Sequence, residues 1–299
     1  TTVTAGVNPK FVSVNPATNK IYVTTNVNVN GNSLTVIDGA TNTPTFAAAG
    51  TAPTAIAVNP VTNKIFVVDS TDVKVINGAD NSLATVTVGS SPRSVAINPV
   101  SNKVYVTNQG SGNVTVIDGS NLSTTTVAAG TGPNSIAVNP VTSKIYVSNG
   151  GSADVTVIDG SYNTTATVVA SMRPLRSAVN PATNKIYVVN CGVCDNLSNG
   201  SLTVIDGTNN STSTVALGKT PQRLAINPVT NKIYVSNSGS NNVTVIDGNN
   251  NSTTTVNTGT SPRAIALNPV TNKIYVANQQ SNNVTVIDGS THATTTIAT

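Results

Sequence analysis

The chain reads as an all-β protein, a seven-bladed β-propeller with four antiparallel strands per blade. Three observations predict this. Asn-Pro occurs seven times, at Asn15, Asn59, Asn98, Asn139, Asn180, Asn227 and Asn268, with a mean spacing of about 42 residues, within the range of blade-by-blade arrays. Each copy carries four short runs of alternating β-branched and small or polar residues, which is strand chemistry. No stretch sustains the 3.6-residue apolar period of a helix.

The elements follow in order within each copy. In the third they are Ser94–Ile97, Lys103–Thr107, Asn113–Ile117 and Thr124–Ala128. Asn-Pro, Asp-Gly and Gly-x-x-Pro separate them, all turn formers. The first run carries a small residue at one fixed place: Ser13, Ala57, Ala96, Ala137, Ala178, Ala225 and Ala266. Small side chains suit an innermost strand, where blades crowd the axis. The second run carries Tyr22, Tyr105, Tyr146, Tyr187, Tyr234 and Tyr275, with Phe66 in the second copy. That periodicity predicts packing between blades, because a single repeat cannot bury both its faces and neighbours must stack. Residues 1–299 therefore form a single propeller domain. Thr1–Ala5 looks like one further strand, equivalent to Thr294–Ala298 at the other end. It is expected to clasp the last blade as a closing strand, and it suggests a chain cut from a longer parent.

The second run reads Tyr105-Val-Thr-Asn108, with variants Tyr146-Val-Ser-Asn149 and Tyr275-Val-Ala-Asn278. On these stretches, and over essentially its whole length, the chain resembles the YVTN β-propeller repeat family. The resemblance implies the propeller fold. It leaves function open among bacterial and archaeal surface or periplasmic proteins, a periplasmic DNA-binding propeller, and lactonase-like or quinoprotein-like enzymes.

Composition narrows these classes. There are 15 basic and 11 acidic residues, every acid is Asp, and there is one His. Low charge with abundant Thr, Asn, Ser and Gly fits a secreted, periplasmic or cell-surface protein. There is no apolar run of about 20 residues to span a membrane. The net charge of +4 is too mild to mark a nucleic-acid binder. Stacking aromatics and a continuous basic stripe are also missing.

Placement of charge says more. Lys20, Lys64, Lys103, Lys144, Lys185, Lys232 and Lys273 open the second strands, and Asp38, Asp118, Asp159, Asp206, Asp247 and Asp288 close the third. Each Lys is expected beside the Asp of its own blade, a repeated turn rather than a binding ring. From each such Asp, or Asn77, to the next Asn-Pro proline is 22 residues, whereas Lys to Asp varies as 18, 13, 15, 15, 21, 15 and 15. Variable loops on a constant scaffold are where binding is built. Strand direction puts those loops on one face, together with the residues that begin the first strands.

That face gathers Lys10, Arg93, Arg176, Arg223 and Arg263 at one mouth of the central channel, including four of the five arginines. Convergent guanidinium groups favour carboxylate or phosphate through paired N–H donors. One reading is a site for an anionic small molecule, glycan or protein. The other is that these side chains bond channel carbonyls or solvate the entrance.

Cys191 and Cys194 lie in the longest variable loop. Zinc needs further ligands, haem attachment needs a His where Asp195 stands, and thioredoxin-type chemistry needs a helix start. A local disulfide remains, suited to an oxidising compartment. The first-blade insertion at 26–33 is polar. Asp69 and Asp72 in the short second-blade loop read as solvated acids. No acid, base or nucleophile stands in a recognisable catalytic setting, and no cofactor or metal is implied. The sequence reading is a non-catalytic extracellular or surface-associated binding and scaffold propeller, a monomer or a module of a longer chain. The alternatives are a lactonase-like or quinoprotein-like extracellular enzyme, or a periplasmic DNA-binding propeller.

Overall fold

The computed structural model describes residues 2–27, 33–195 and 198–299. Part of the first-blade insertion, 28–32, thus lies outside the described residues. Among those residues the chain forms 28 strands in seven four-stranded sheets, the blades of a β-propeller, numbered 1 to 7 in chain order. Among the described residues no helix is long and apolar enough to cross a membrane. The chain divides into two compact units, Thr1–Ser143 and Lys144–Thr299.

Blade 3 shows the pattern in the first unit. Its strands are Pro92–Asn98, Lys103–Asn108, Asn113–Asp118 and Thr124–Ala128. Ala96 stands directly opposite Tyr105. Ser13 faces Tyr22, Ala57 faces Phe66, Ala178 faces Tyr187 and Ala225 faces Tyr234 in the same way. The recurrent small residue is thus the cross-strand neighbour of the ring, leaving it room on the pleated face.

Those rings are the core. Tyr22, Phe66, Tyr105, Tyr146, Tyr187 and Tyr234 are all fully buried. In the first unit Tyr22 and Val36 of blade 1 pack on Ile65, Val67 and Ile76 of blade 2. In the second, Tyr187 and Val204 of blade 5 pack on Ile233, Val235 and Ile246 of blade 6. Each of these interfaces therefore joins a Tyr face of one blade to an Ile face of the next. Burial of this apolar area is the dominant stabilising term.

The Asn-Pro turns form a polar clamp beside that core. Asn15 Oδ1 accepts from Ala17 N at 3.0 Å, and its Nδ2 donates across the interface to Asn63 Oδ1 at 2.8 Å. Asn59 reaches Asn102, Asn180 reaches Asn231 and Asn227 reaches Asn272 likewise. The receiving Asn residues sit at φ near +52°, a left-handed conformation that Asn tolerates better than most residues.

The expected pairing of each Lys with its own Asp is corrected. Lys20 Nζ donates to Gly78 O, Lys64 to Gly119 O, Lys144 to Gly207 O and Lys185 to Gly248 O, at 2.6–3.0 Å. All four carbonyls belong to the following blade. The Asp side chain instead caps its own turn, as Asp118 Oδ1 does for Ser120 N at 2.7 Å. Among the described residues, Asp247 lies 3.8 Å from Lys232 and Asp288 lies 2.7 Å from Lys273, ion pairs within their own blades.

At the N-terminus, residues 2–6 form no strand. The fourth position of blade 7 is held by Thr294–Ala298, paired with Asn283–Asp288.

Candidate functional site

The face carrying the variable loops is built from the start of each first strand and the loop between second and third strands. Several first strands begin with a proline preceded by a residue in the left-handed region: Ser91, Arg173, Thr220 and Ser261, at φ +52°, +53°, +49° and +57°. The register then slips by one residue, a β-bulge that re-aims the side chains beside it.

The bulge sorts the five basic residues. Lys10, Arg93 and Arg263 are the extra residues between paired neighbours. Arg176 and Arg223 sit one position later, in the ladder, opposite Val189 and Ser236. Lys10 and Arg93 lie in the first unit, on blades 1 and 3, and both are exposed. Arg93 Nε stands 3.5 Å from Asn134 Oδ1. The second unit carries Arg176, Arg223 and Arg263 on three successive blades. Ser236 Oγ donates to the Arg263 carbonyl at 3.2 Å, so blades 6 and 7 touch at this level. Arg223 is exposed by area, yet its surroundings desolvate it enough to lower its pKa. Arg176 is half-buried and donates to Leu175 O at 3.2 Å. Arg173 is held away from this set, its Nη1 donating to Val193 O at 3.1 Å.

Between blades 6 and 7 lies a polar pocket of about 320 Å³. Gln222, Ser238, Asn241, Ser261, Arg263 and Gln280 are among its lining residues. Much of the wall is pre-set. Gln222 Nε2 donates to Ser238 Oγ at 3.1 Å, Ser238 Oγ donates to Thr220 O at 3.1 Å, and Asn241 Oδ1 accepts from Ser261 N at 2.9 Å. The Arg263 guanidinium and the Gln280 side-chain amide make no hydrogen bond among the described residues, so both are available to a ligand. Sequence reasoning found Arg263 but not Gln222, Ser238, Asn241 or Gln280. Their signal was present as polar residues at aligned loop positions of neighbouring repeats.

The acids outside the strand-ending series hold structural positions. Asp69 is buried, correcting its reading as a solvated acid, and accepts from Thr51 N at 3.0 Å and Ala52 N at 2.7 Å. Asp72 pairs with Lys74 at 2.9 Å. Asp80 caps Ser82 N, and that bond is the first cause of its lowered pKa. Asp154 accepts from Asn149 Nδ2 at 2.6 Å, and Asp195 accepts from Ser198 N at 2.6 Å. His292 lies in a turn, its N donating to Asp288 O at 2.8 Å. Among the described residues, no three His, Cys, Asp or Glu side chains gather where they would hold a metal ion.

The Asn that closes each Tyr-Val-x-Asn run is also structural. Asn108 Nδ2 donates to Asn113 Oδ1 at 2.7 Å and Thr115 Oγ1 at 2.9 Å, and Asn237 repeats this with Asn242 and Thr244. Cys191 and Cys194 are joined by a disulfide with Cα atoms 5.0 Å apart. The loop is tied to its own blade through Cys191 N to Arg173 O and Gly192 N to Met172 O, both 3.1 Å.

Among solved structures, dihydro-heme d1 dehydrogenase NirN in complex with DHE is similar at a TM-score of 0.78 and 11% identity, covering 97% of this chain and 65% of that one. Kuenenia stuttgartiensis hydrazine synthase is similar at 0.67 and 18% identity, with 79% and 76% covered. A functionally unknown protein from Desulfotomaculum acetoxidans DSM 771 follows at 0.65 and 13%, with 82% and 84% covered. These likenesses concern the fold alone. Comparison with curated proteins finds no match. The family model "Lactonase, 7-bladed beta-propeller" matches residues 118–295, more than half of the chain. With its repeated four-stranded blades, the chain belongs to this lactonase-type seven-bladed β-propeller family.

Proposed function

We propose that the protein is a binding module that takes an anionic, hydroxyl-bearing ligand, such as the uronic-acid end of a glycan, in the polar pocket between blades 6 and 7. One observation carries this reading: the unpartnered Arg263 guanidinium stands in a pocket otherwise lined by hydroxyl, amide and backbone groups. A carboxylate matches the paired donors of arginine. Gln280 and the fixed Ser and Asn groups supply neutral partners for sugar hydroxyls. The disulfide of the neighbouring blade supports an oxidising location, secreted, periplasmic or at the cell surface. Arg223 and Arg176 add positive charge on the adjoining blades.

Family membership favours a second reading, hydrolysis of a lactone. Hydrolysis needs a group to activate water beside the one that stabilises developing charge. Arg263 suits only the second task, and no carboxylate or imidazole lines this pocket. Titration calorimetry with glucuronate and galacturonate oligomers tests the binding reading. Arg263→Ala should weaken binding by roughly 10-fold or more, the loss of a charged hydrogen bond. Arg93→Ala, on blade 3, should leave it unchanged. Equal binding by Arg263→Ala, or lactone turnover in the purified chain, overturns it.

A further inference from the structure

Two departures from the repeat meet at one place in the first unit, between blades 2 and 3. The first is the residue that ends the third strand. It is Asp in the other six blades and Asn77 in blade 2. Asn77 still caps its turn, its Oδ1 accepting from Ala79 N at 3.0 Å. In the ladder it stands opposite Lys64, as Asp247 stands opposite Lys232 and Asp288 opposite Lys273. Both of those acids pair with their lysines. Lys64 is half-buried and has no carboxylate partner among the described residues. Its Nζ donates to Gly119 O at 2.6 Å, which leaves ammonium donors over.

The second departure is Leu122. In each blade, the residue four places past the strand-ending one adopts a left-handed conformation and donates its N to that residue's carbonyl. It is Asn in five blades, His292 in blade 7 and Leu122 in blade 3. Leucine lacks the short polar side chain that eases this conformation in Asn. It packs instead against the cluster of Phe66, Val75, Val104 and Ile117, where blades 2 and 3 meet.

Ala84 adds room beside them. It faces Val75 across the ladder, where blades 3, 6 and 7 place Thr125, Thr254 and Thr295 against the equivalent valines. The result is a cavity of about 240 Å³, with Lys64, Val75, Asn77, Ala84 and Leu122 among its lining residues. Lys64 and Asn77 border it at the strand ends, and Val75, Ala84 and Leu122 give it apolar wall. The volume is below the roughly 300–1,000 Å³ of drug-sized sites, so it suits a small ligand.

We propose that this cavity binds a small carboxylate with a compact apolar body, such as an aryl or short-chain aliphatic acid. The carboxylate stands in for the missing Asp. It accepts from Lys64 Nζ, a charge-assisted bond, and from Asn77 Nδ2, the end of that amide left over once Oδ1 has taken Ala79 N. The apolar body covers Val75, Ala84 and Leu122 and takes their surface out of water. The acids nearby are engaged in their own turns. Asp80 holds Ser82 N at 2.9 Å, and Asp118 holds Ser120 N at 2.7 Å and lies opposite Lys103 of its own blade. The site shares no residue with the pocket of blades 6 and 7.

Methyl-resolved NMR of the full chain, titrated with benzoate and with hexanoate, tests this. At least one of the two should shift the Ala84 and Leu122 methyl signals saturably. Benzyl alcohol, which lacks the charge, and acetate, which lacks the apolar body, should each bind at least about 10-fold more weakly than that acid. Asn77→Asp restores the acid of the other blades. It should keep the thermal unfolding midpoint at or above that of the parent and weaken binding of the acid at least about 10-fold. Lys64→Met should weaken it similarly, whereas Lys185→Met, at the corresponding lysine of blade 5, should leave it unchanged. Any of three results overturns the proposal: no saturable shift with either acid, acetate binding as tightly as the larger acids, or a folded Asn77→Asp variant that binds like the parent.

Discussion

At the scale of single residues, the buried tyrosines carry the most definite consequences. Tyr187 is fully buried, and its hydroxyl finds no hydrogen-bond partner among the described residues. An unpaired buried hydroxyl adds little stability. Tyr187→Phe is therefore expected to change stability by less than about 1 kcal/mol, or to raise it, in urea unfolding. Burial first, and Asp206 second, pushes the Tyr146 phenol up to about 12; burial and Asp247 do the same to Tyr187. In the unfolded chain both titrate near pH 10. The folded state thus holds these protons more tightly. Their contribution is complete below pH 10 and is lost as the pH rises towards 12. Stability should fall over that window, and less steeply in the Tyr146→Phe, Tyr187→Phe double variant. Gly50 is a residue-scale constraint of another kind. Its φ is +91°, and a Cβ there would meet the Asp69 carboxylate that caps Thr51 and Ala52.

At the scale of elements, the clamp and the bulge decide what the strands can do. The Asn-Pro asparagine does two jobs, capping its own turn and bonding the next blade. Asn268 caps its own turn in the same way. Asn227→Ala should therefore cost about 1–3 kcal/mol, since it removes bonds at a fully buried site. Chemical unfolding measures the difference. The turn itself was legible in the sequence, because Asn-Pro and Asp-Gly are local signals. Its reach was not. Nothing in the repeat says that Lys64 passes over its own blade to Gly119 of the next. The bulge was equally hidden: Lys10, Arg93 and Arg263 align with one another in sequence, but their unpaired backbone positions appear only once register is known.

At the scale of the whole molecule, the strand-ending carboxylates set the acid limit. Backbone amides hold Asp38, Asp118, Asp206 and Asp247 below the usual carboxylate range, and Lys273 leads the same effect on Asp288. These folded-state values are depressed, so their contribution is present above the unfolded carboxylate value, near pH 4. It is lost as the pH falls through the folded values. Circular dichroism should show stability nearly flat between about pH 5 and pH 9 and declining below about pH 4.

The sequence alone determined that this is a propeller. Seven Asn-Pro turns, four alternating runs per repeat and a recurrent Tyr are local patterns whose meaning does not depend on distant residues. It also singled out the loop face and its arginines. Tertiary structure decided which of those arginines share a pocket with Gln280 and which carbonyl each lysine meets. These are relations between blades, set by register and stacking. A repeat written nearly alike each time cannot state how its own neighbours differ.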